Sequence, residues 1–238
     1  SGGLGKIFAR FLAKEYNANV ILTGRSKVNN NIETFLEELK LLGSQPVYIQ
    51  SDISKKDDVQ KLLTDAKVKY NHVNGVIHAA GVNKDSFILN KQKDEIESVF
   101  ASKIYGTLNL IEILKNEQLD CLILFSSFAA ITGNEGQCDY SYANAFLDYT
   151  AEFNNINNGS LHFKVLSLNW PYWEKGGMQI GAVEQESILN STGLLPITEA
   201  HGITLFEKSL TCQNSHCIPL FGNITKIENK SESEKFVI

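Results

Sequence analysis

The chain opens Ser1-Gly2-Gly3-Leu4-Gly5, three glycines in five residues, directly before a helical period from about Leu4 to Tyr16. Glycine lets the backbone approach an anion closely, and a helix N-terminus favours negative charge. This is the turn expected after the first strand of a dinucleotide-binding unit. A plain tight loop would also use GGxG, so the reading depends on the residues beyond Tyr16. There the chain alternates regularly between short β-rich runs and longer helical periods, the pattern of a doubly wound, Rossmann-like parallel sheet in an α/β fold. Strands are expected at Asn19–Leu22, Val47–Gln50, Gly75–His78, Cys121–Phe125, Lys164–Leu168 and His216–Leu220. Helices are expected at Ile32–Leu42, Lys56–Val68, Asp94–Asn116, Tyr140–Asn154 and Glu199–Leu210. No strand precedes the glycine turn, although in the usual order that strand is central. The pattern therefore predicts a first strand supplied from outside this sequence, as in a portion of a longer polypeptide.

With 238 residues, 43% of them hydrophobic, the chain can bury one large core. Residues 1–225 are expected to form one catalytic domain, with a mobile cover over residues 171–197. A charged tail or linker is expected over 226–238. A net charge of -5 with scattered lysines and arginines offers no footprint for nucleic acid. The apolar runs are strand-length, so no membrane association is expected and the cytoplasm is the expected compartment. The four cysteines fit a reduced state. Cys212-Gln-Asn-Ser-His216-Cys217 falls short of zinc-ligand spacing, and no metal is expected.

The first of these expected strands, Asn19–Leu22, runs out into Thr23-Gly24-Arg25-Ser26. An acid here would hold the ribose 2′-hydroxyl of NAD, whereas an arginine suits the 2′-phosphate of NADP. NADPH is therefore the expected cofactor, unless Arg25 is simply a solvated arginine. Gly2, Gly3, Leu4 and Gly5 would take its pyrophosphate, and Arg25 and Ser26 its 2′-phosphate. Asp52 and Ile53 come after the next strand and would meet the adenine, though Asp52 could equally cap a helix. Ala79, Ala80 and Gly81, in His78-Ala79-Ala80-Gly81-Val82, are small enough for the nicotinamide half to lie against the sheet edge, or for helix packing alone. Lys103 and Tyr140 complete the expected cofactor contacts.

Hydride reduction of a ketone builds negative charge on oxygen, and a tyrosine can deliver the proton if its ordinary pKa of about 10 is lowered by a cation. The lysine that short-chain dehydrogenases place four residues after the tyrosine is absent: Asn144 stands at that spacing from Tyr140. Phe125-Ser126-Ser127, with Gly136-Gln137-Cys138-Asp139-Tyr140-Ser141-Tyr142-Ala143-Asn144-Ala145-Phe146-Leu147-Asp148, resembles the ketoreductase domains of modular polyketide synthases. In that family lysine and asparagine exchange places. The matching lysine here is Lys103, in Ala101-Ser102-Lys103-Ile104-Tyr105-Gly106-Thr107. One helical turn sets Tyr140 and Asn144 on one face, and Lys103 can enter from a neighbouring helix.

The resemblance implies roles for each. Ser127 would hold the carbonyl, Tyr140 protonate it, Lys103 lower the tyrosine pKa, and Asn144 position Lys103 or a water. It extends through Leu168-Asn169-Trp170-Pro171-Tyr172-Trp173 and Gly177-Met178. The Pro171-Tyr172 variation is similar to synthases served by free-standing acyltransferases. It implies Asp85, Gln137, Trp170 and Met178 as residues of substrate handling and stereocontrol. Asn83-Lys84-Asp85 keeps the last aspartate of the pair found in members that make the D-alcohol, although Asp85 could equally be an ordinary helix cap. Thr132 stands where the opposite group has tryptophan, and Tyr142 gives no sign of an epimerised substrate. The implied substrate is a 3-ketoacyl thioester on the phosphopantetheine arm of an acyl carrier protein, within a larger synthase. A stand-alone reductase of a small ketone and a non-catalytic structural member remain the alternatives.

Overall fold

The computed structural model describes residues 2–156, 161–176 and 181–227. Helix α1 (Gly3–Tyr16) leads to β1 (Ile21–Gly24), α2 (Asn30–Leu41) and β2 (Val47–Gln50). Helix α3 (Lys56–Tyr70) and β3 (Gly75–His78) come next. Then α4 (Lys93–Phe100) passes through a π-helical turn (Ala101–Tyr105) into α5 (Gly106–Leu114). Strand β4 (Cys121–Ser127), a short α6 (Ala129–Thr132), α7 (Cys138–Ile156) and β5 (Lys164–Trp170) carry the centre of the molecule. After them come α8 (Ala182–Thr192), α9 (Glu199–Leu210) and β6 (His216–Cys217).

Among the described residues the six strands pair only in parallel, and a single antiparallel bridge joins Leu194 to Gly222. β1 pairs with β2 in the register Ile21↔Val47, and β3, β4, β5 and β6 form a second ladder in that order. The two ladders are the flanks of the doubly wound order 3-2-1-4-5-6, and the position between β1 and β3 is filled by no strand among the described residues. Helix α1 packs against both flanks. Its Ala9 and Ala13 meet Leu22, Phe35 and Leu39, while Ile7, Phe8 and Phe11 meet Ile123, Phe125 and Leu168. The apolar residues of β4 and β5 are almost wholly buried, as both faces of a central parallel strand should be.

Several boundaries differ from expectation for identifiable reasons. The chain leaves α1 through Asn17 in the left-handed region, and Asn19 Oδ1 accepts from the Gln45 N–H at 3.0 Å, so β1 begins only at Ile21. β6 stops at Cys217 because Pro219 has no N–H for a ladder. The helix expected over 94–116 is broken by the π-helical turn at Lys103. Part of the cover expected over 171–197 is helix α8, and its residues 177–180 lie outside the described residues, as do residues 228–238 of the expected tail. Among the described residues no helix is long and apolar enough to cross a membrane.

Candidate active site

The C-terminal ends of β3 and β4 face the π-helical turn and the start of α7, the end of a doubly wound sheet where ligands bind. A π turn inserts one residue into the helical ladder and recurs at functional sites. Here it carries Lys103 inward, 4% exposed, where its Nζ donates to the Phe125 carbonyl at 2.5 Å. Burial brings the lysine pKa down to about 8, against the opposing pull of the Asp148 charge. The lysine stem fills the space beside Gly81, where an added Cβ would sit 2.8 Å from Cε. Glycine is therefore the residue that lets the cation lie here. Neighbouring His78 is buried and held neutral, its pKa pushed down to about 3 by burial first and the Lys103 charge second.

Tyr140 sits in the first turn of α7 and packs with Val99, Ile104 and Ala143. Its phenol is raised above the ordinary tyrosine pKa, chiefly by burial. Hydrogen bonding with Ser127 and Asn144 pulls the other way, and the Asp85 charge adds to the rise. The phenol is thus protonated at neutral pH. The structure brings Tyr140, Ser127, Asn144 and Asp85 together, whereas the Lys103 ammonium is bonded to the end of β4. A fully buried ammonium needs an acceptor, and the Phe125 carbonyl supplies one.

Beneath these groups runs a polar network. Asn144 Nδ2 donates to the Tyr140 carbonyl at 2.8 Å, and the Asn144 carbonyl accepts from Ser126 Oγ at 3.1 Å. Asn169 Nδ2 bonds Ser126 Oγ at 3.2 Å and Asp148 Oδ2 at 2.6 Å, and Ser167 Oγ donates to Asp148 Oδ1 at 2.6 Å. Ser127 Oγ also accepts from the Ala129 N–H at 3.2 Å, fixing the hydroxyl at the strand end. Asp148 and Asn169 were not singled out from the sequence. Asp148 could have been found from its spacing, one turn beyond Asn144 and two beyond Tyr140 on one helix face.

Among the described residues the cofactor end is open. Gly2 caps α1 with extended backbone, no side chain caps that terminus, and its first turn holds no acid. A Cβ at Gly2 or Gly5 would meet nothing within 4 Å. Unshielded N–H groups facing free space suit a phosphate group, so these residues fit a dinucleotide. Arg25 is exposed on a loop held by Tyr48, whose hydroxyl donates to the Gly24 carbonyl at 3.0 Å and the Ser26 carbonyl at 2.6 Å. Gln50 Nε2 holds the Arg25 carbonyl at 2.9 Å. Asp52 is held below the usual carboxylate range. Burial opposes this, but Ser54 hydrogen bonds and the charges of Arg25 and Lys55 outweigh it. Its Oδ1 accepts from Ser54 Oγ at 2.7 Å, a local turn cap. Ile53 packs on α5 close to Gly106, Ala79 joins the core beside β3, Ala80 is half-buried after it, and Gly81 borders Lys103.

Trp170 is a core residue, 4% exposed, its ring against Phe8, Phe125 and Trp173. Gln137 is buried too, its side-chain oxygen accepting from Asn134 Nδ2 at 3.1 Å where the chain turns into α7. Met178 and Gly177 lie outside the described residues, as does Ser1. Among the described residues no cluster of His, Cys, Asp and Glu could hold a metal ion.

Residues 1–175 match the family model of the KR domain. The chain belongs to the KR domain family. Polyketide synthase PksL of Bacillus subtilis (strain 168) is 42% identical over 207 residues, 85% of this chain and 4% of that protein. Polyketide synthase PksN of the same organism is 36% identical over 231 residues, 96% of this chain and again 4% of the relative. A crystal structure of a ketoreductase domain from the bacillaene assembly line has a TM-score of 0.90 at 36% identity, covering 96% of this chain and 56% of that one. An N-terminal ketoreductase from the macrolactin assembly line has a TM-score of 0.86 at 34% identity, covering 96% and 44%. This KR domain thus spans a small fraction of the curated relatives and about half of those structures.

Proposed function

We propose that this KR domain reduces a 3-ketoacyl thioester, presented by an acyl carrier protein on a phosphopantetheine arm, to the D-configured 3-hydroxyacyl thioester with NADPH. The observation that carries the reading is the half-buried, protonated Tyr140 in the first turn of α7, close enough to Ser127 at the end of β4 and to Asn144 one turn on for both to act on its phenol. A reduced nicotinamide cofactor, when bound, supplies the hydride taken up by the carbonyl carbon. Ser127 orients the carbonyl oxygen by a hydrogen bond. Tyr140 gives that oxygen its hydroxyl proton as negative charge develops on it. Asn144 holds the first turn of α7 through the Tyr140 carbonyl, and Lys103 places a buried cation behind the site. Arg25 supports NADPH over NADH by offering a guanidinium to the 2′-phosphate. Asp85, close enough for its charge to act on Tyr140, supports the D-alcohol. The other domains of a polyketide synthase are the proposed partners and the cytoplasm the proposed compartment.

Tyr140→Phe in the intact protein tests the acid role. NADPH oxidation with a 3-ketoacyl thioester is expected to fall about 10²- to 10⁴-fold, the usual range for removing a positioned acid, while NADPH binding persists. Unchanged turnover would overturn the proposal.

A further inference from the structure

Between β3 and α4 the chain bulges outward. Phe87, Ile88 and Leu89 are exposed on a turn closed by the Asn90 N–H on the Phe87 carbonyl at 2.8 Å. Lys91 then reverses direction, its side chain 1% exposed. Its Nζ lies 3.0 Å from Oδ1 of Asp139, a side chain 2% exposed, and also donates to the Lys84 carbonyl. The same Oδ1 accepts the backbone N–H of Tyr140 at 2.9 Å. One buried cation therefore joins the backbone just before Asp85 to the carboxylate that seats the first turn of α7. A second tether runs alongside, the Ser86 N–H on the Gly136 carbonyl at 2.9 Å.

A wholly buried ion pair is a poor device for stability alone. Taking both charges out of water costs about as much as their attraction returns, and an apolar pair of similar volume is often as stable or more so. What such a pair does supply is a fixed relation between the two segments that carry its members. Here those segments hold Asp85 and Tyr140, 55 positions apart in the chain. The neighbouring exposed apolar residues do not hold the loop down, so the tethers do.

We propose that Lys91 and Asp139 are positioning residues that lock the Asp85 loop to the Tyr140 turn, and that both the rate of reduction and the choice of carbonyl face depend on this lock. The inference rests on the ketoreductase reading of the site. Lys91→Met alone would strand a buried carboxylate and endanger folding. The test variant is therefore K91M/D139N, in which neither side chain is charged and an amide oxygen still accepts the Tyr140 N–H.

In the intact protein, amide hydrogen exchange over residues 83–91 and 137–142 is expected to speed up about tenfold or more, the signature of local loosening, with α9 unchanged. With a 3-ketoacyl thioester, kcat is expected to drop about 10²-fold, the scale set by misplacing a catalytic group by roughly 1 Å. KM for NADPH should hold, and the enantiomeric excess of the alcohol should erode. Any one of exchange, kcat or enantiomeric excess remaining at the unsubstituted value overturns the inference. If the unsubstituted protein turns over no ketoacyl thioester, the ketoreductase reading fails instead, and the exchange measurement alone decides whether the pair ties the two segments.

Discussion

Replacing Lys103 by methionine should flatten the pH dependence of stability on the alkaline side. Burial takes the lysine from its ordinary 10.5 to about 8 in the folded protein. The unfolded chain therefore holds that proton more tightly than the folded one, and stability should rise with pH between about 8 and 10.5. Below pH 8 the cation is charged in both states and its whole burial penalty is present, about 3 kcal/mol by linkage. Between pH 7 and 9.5 roughly 2 kcal/mol of it should be relieved. Methionine, close to lysine in volume, has no proton to exchange, so K103M should lack that rise. It also leaves the Phe125 carbonyl without its 2.5 Å donor, a loss of about 1–3 kcal/mol that reduces any net gain at pH 7. The measurement is denaturant unfolding of cofactor-free protein at half-unit steps from pH 6.5 to 9.5. The quantity to plot is the difference between variant and parent, in which contributions from the tyrosines cancel. Parallel curves would refute the burial argument, and so would a variant whose stability climbs more steeply than the parent's.

The site geometry sets three further outcomes. Arg25→Ala should cut the preference for NADPH over NADH about 10- to 100-fold, the scale of one hydrogen bond to a charged group, read from kcat/KM with each cofactor. Gly81→Ala should cost about 1–3 kcal/mol in denaturant melts, since its Cβ lands 2.8 Å from Lys103 Cε, and should lower turnover by pushing the lysine aside. Chiral chromatography of the product should return the D-alcohol, and an L-alcohol would remove Asp85 from its proposed role.

The parallel sheet was legible because its buried strands read as short apolar-rich runs between helical periods, unbroken over Cys121–Phe125 and interrupted only by Ser167 over Val165–Leu168. The same property hid the place of Trp170. With both faces of β5 buried, alternation cannot tell a core ring from a site ring. The π-helical turn was invisible because Ala101–Tyr105 keeps residue types that an ordinary helix also uses, and the extra residue shows only as a shift of face. Ser127, Tyr140, Asn144 and Lys103 were picked out by a shared pattern rather than by any one of them. Lys91 and Asp139 left no trace, since a lysine in the polar run Asn90–Asp94 reads as solvated until a carboxylate 48 positions later closes over it.

The turn at Ala101–Tyr105 also sets how this helix can change. By absorbing one surplus residue it lets α4 and α5 keep separate phases: Val99 points into the core from one side, and Gly106, Thr107, Leu110 and Leu114 from the other. Deleting a single residue there would restore an uninterrupted α-helix, which is locally better bonded, yet it would remove the bulge that carries Lys103 inward. Lys103 would then swing out of its slot beside Gly81. The turn behaves as a shim between two fixed faces, and length changes in this part of the chain should be tolerated only in the loops on either side of it.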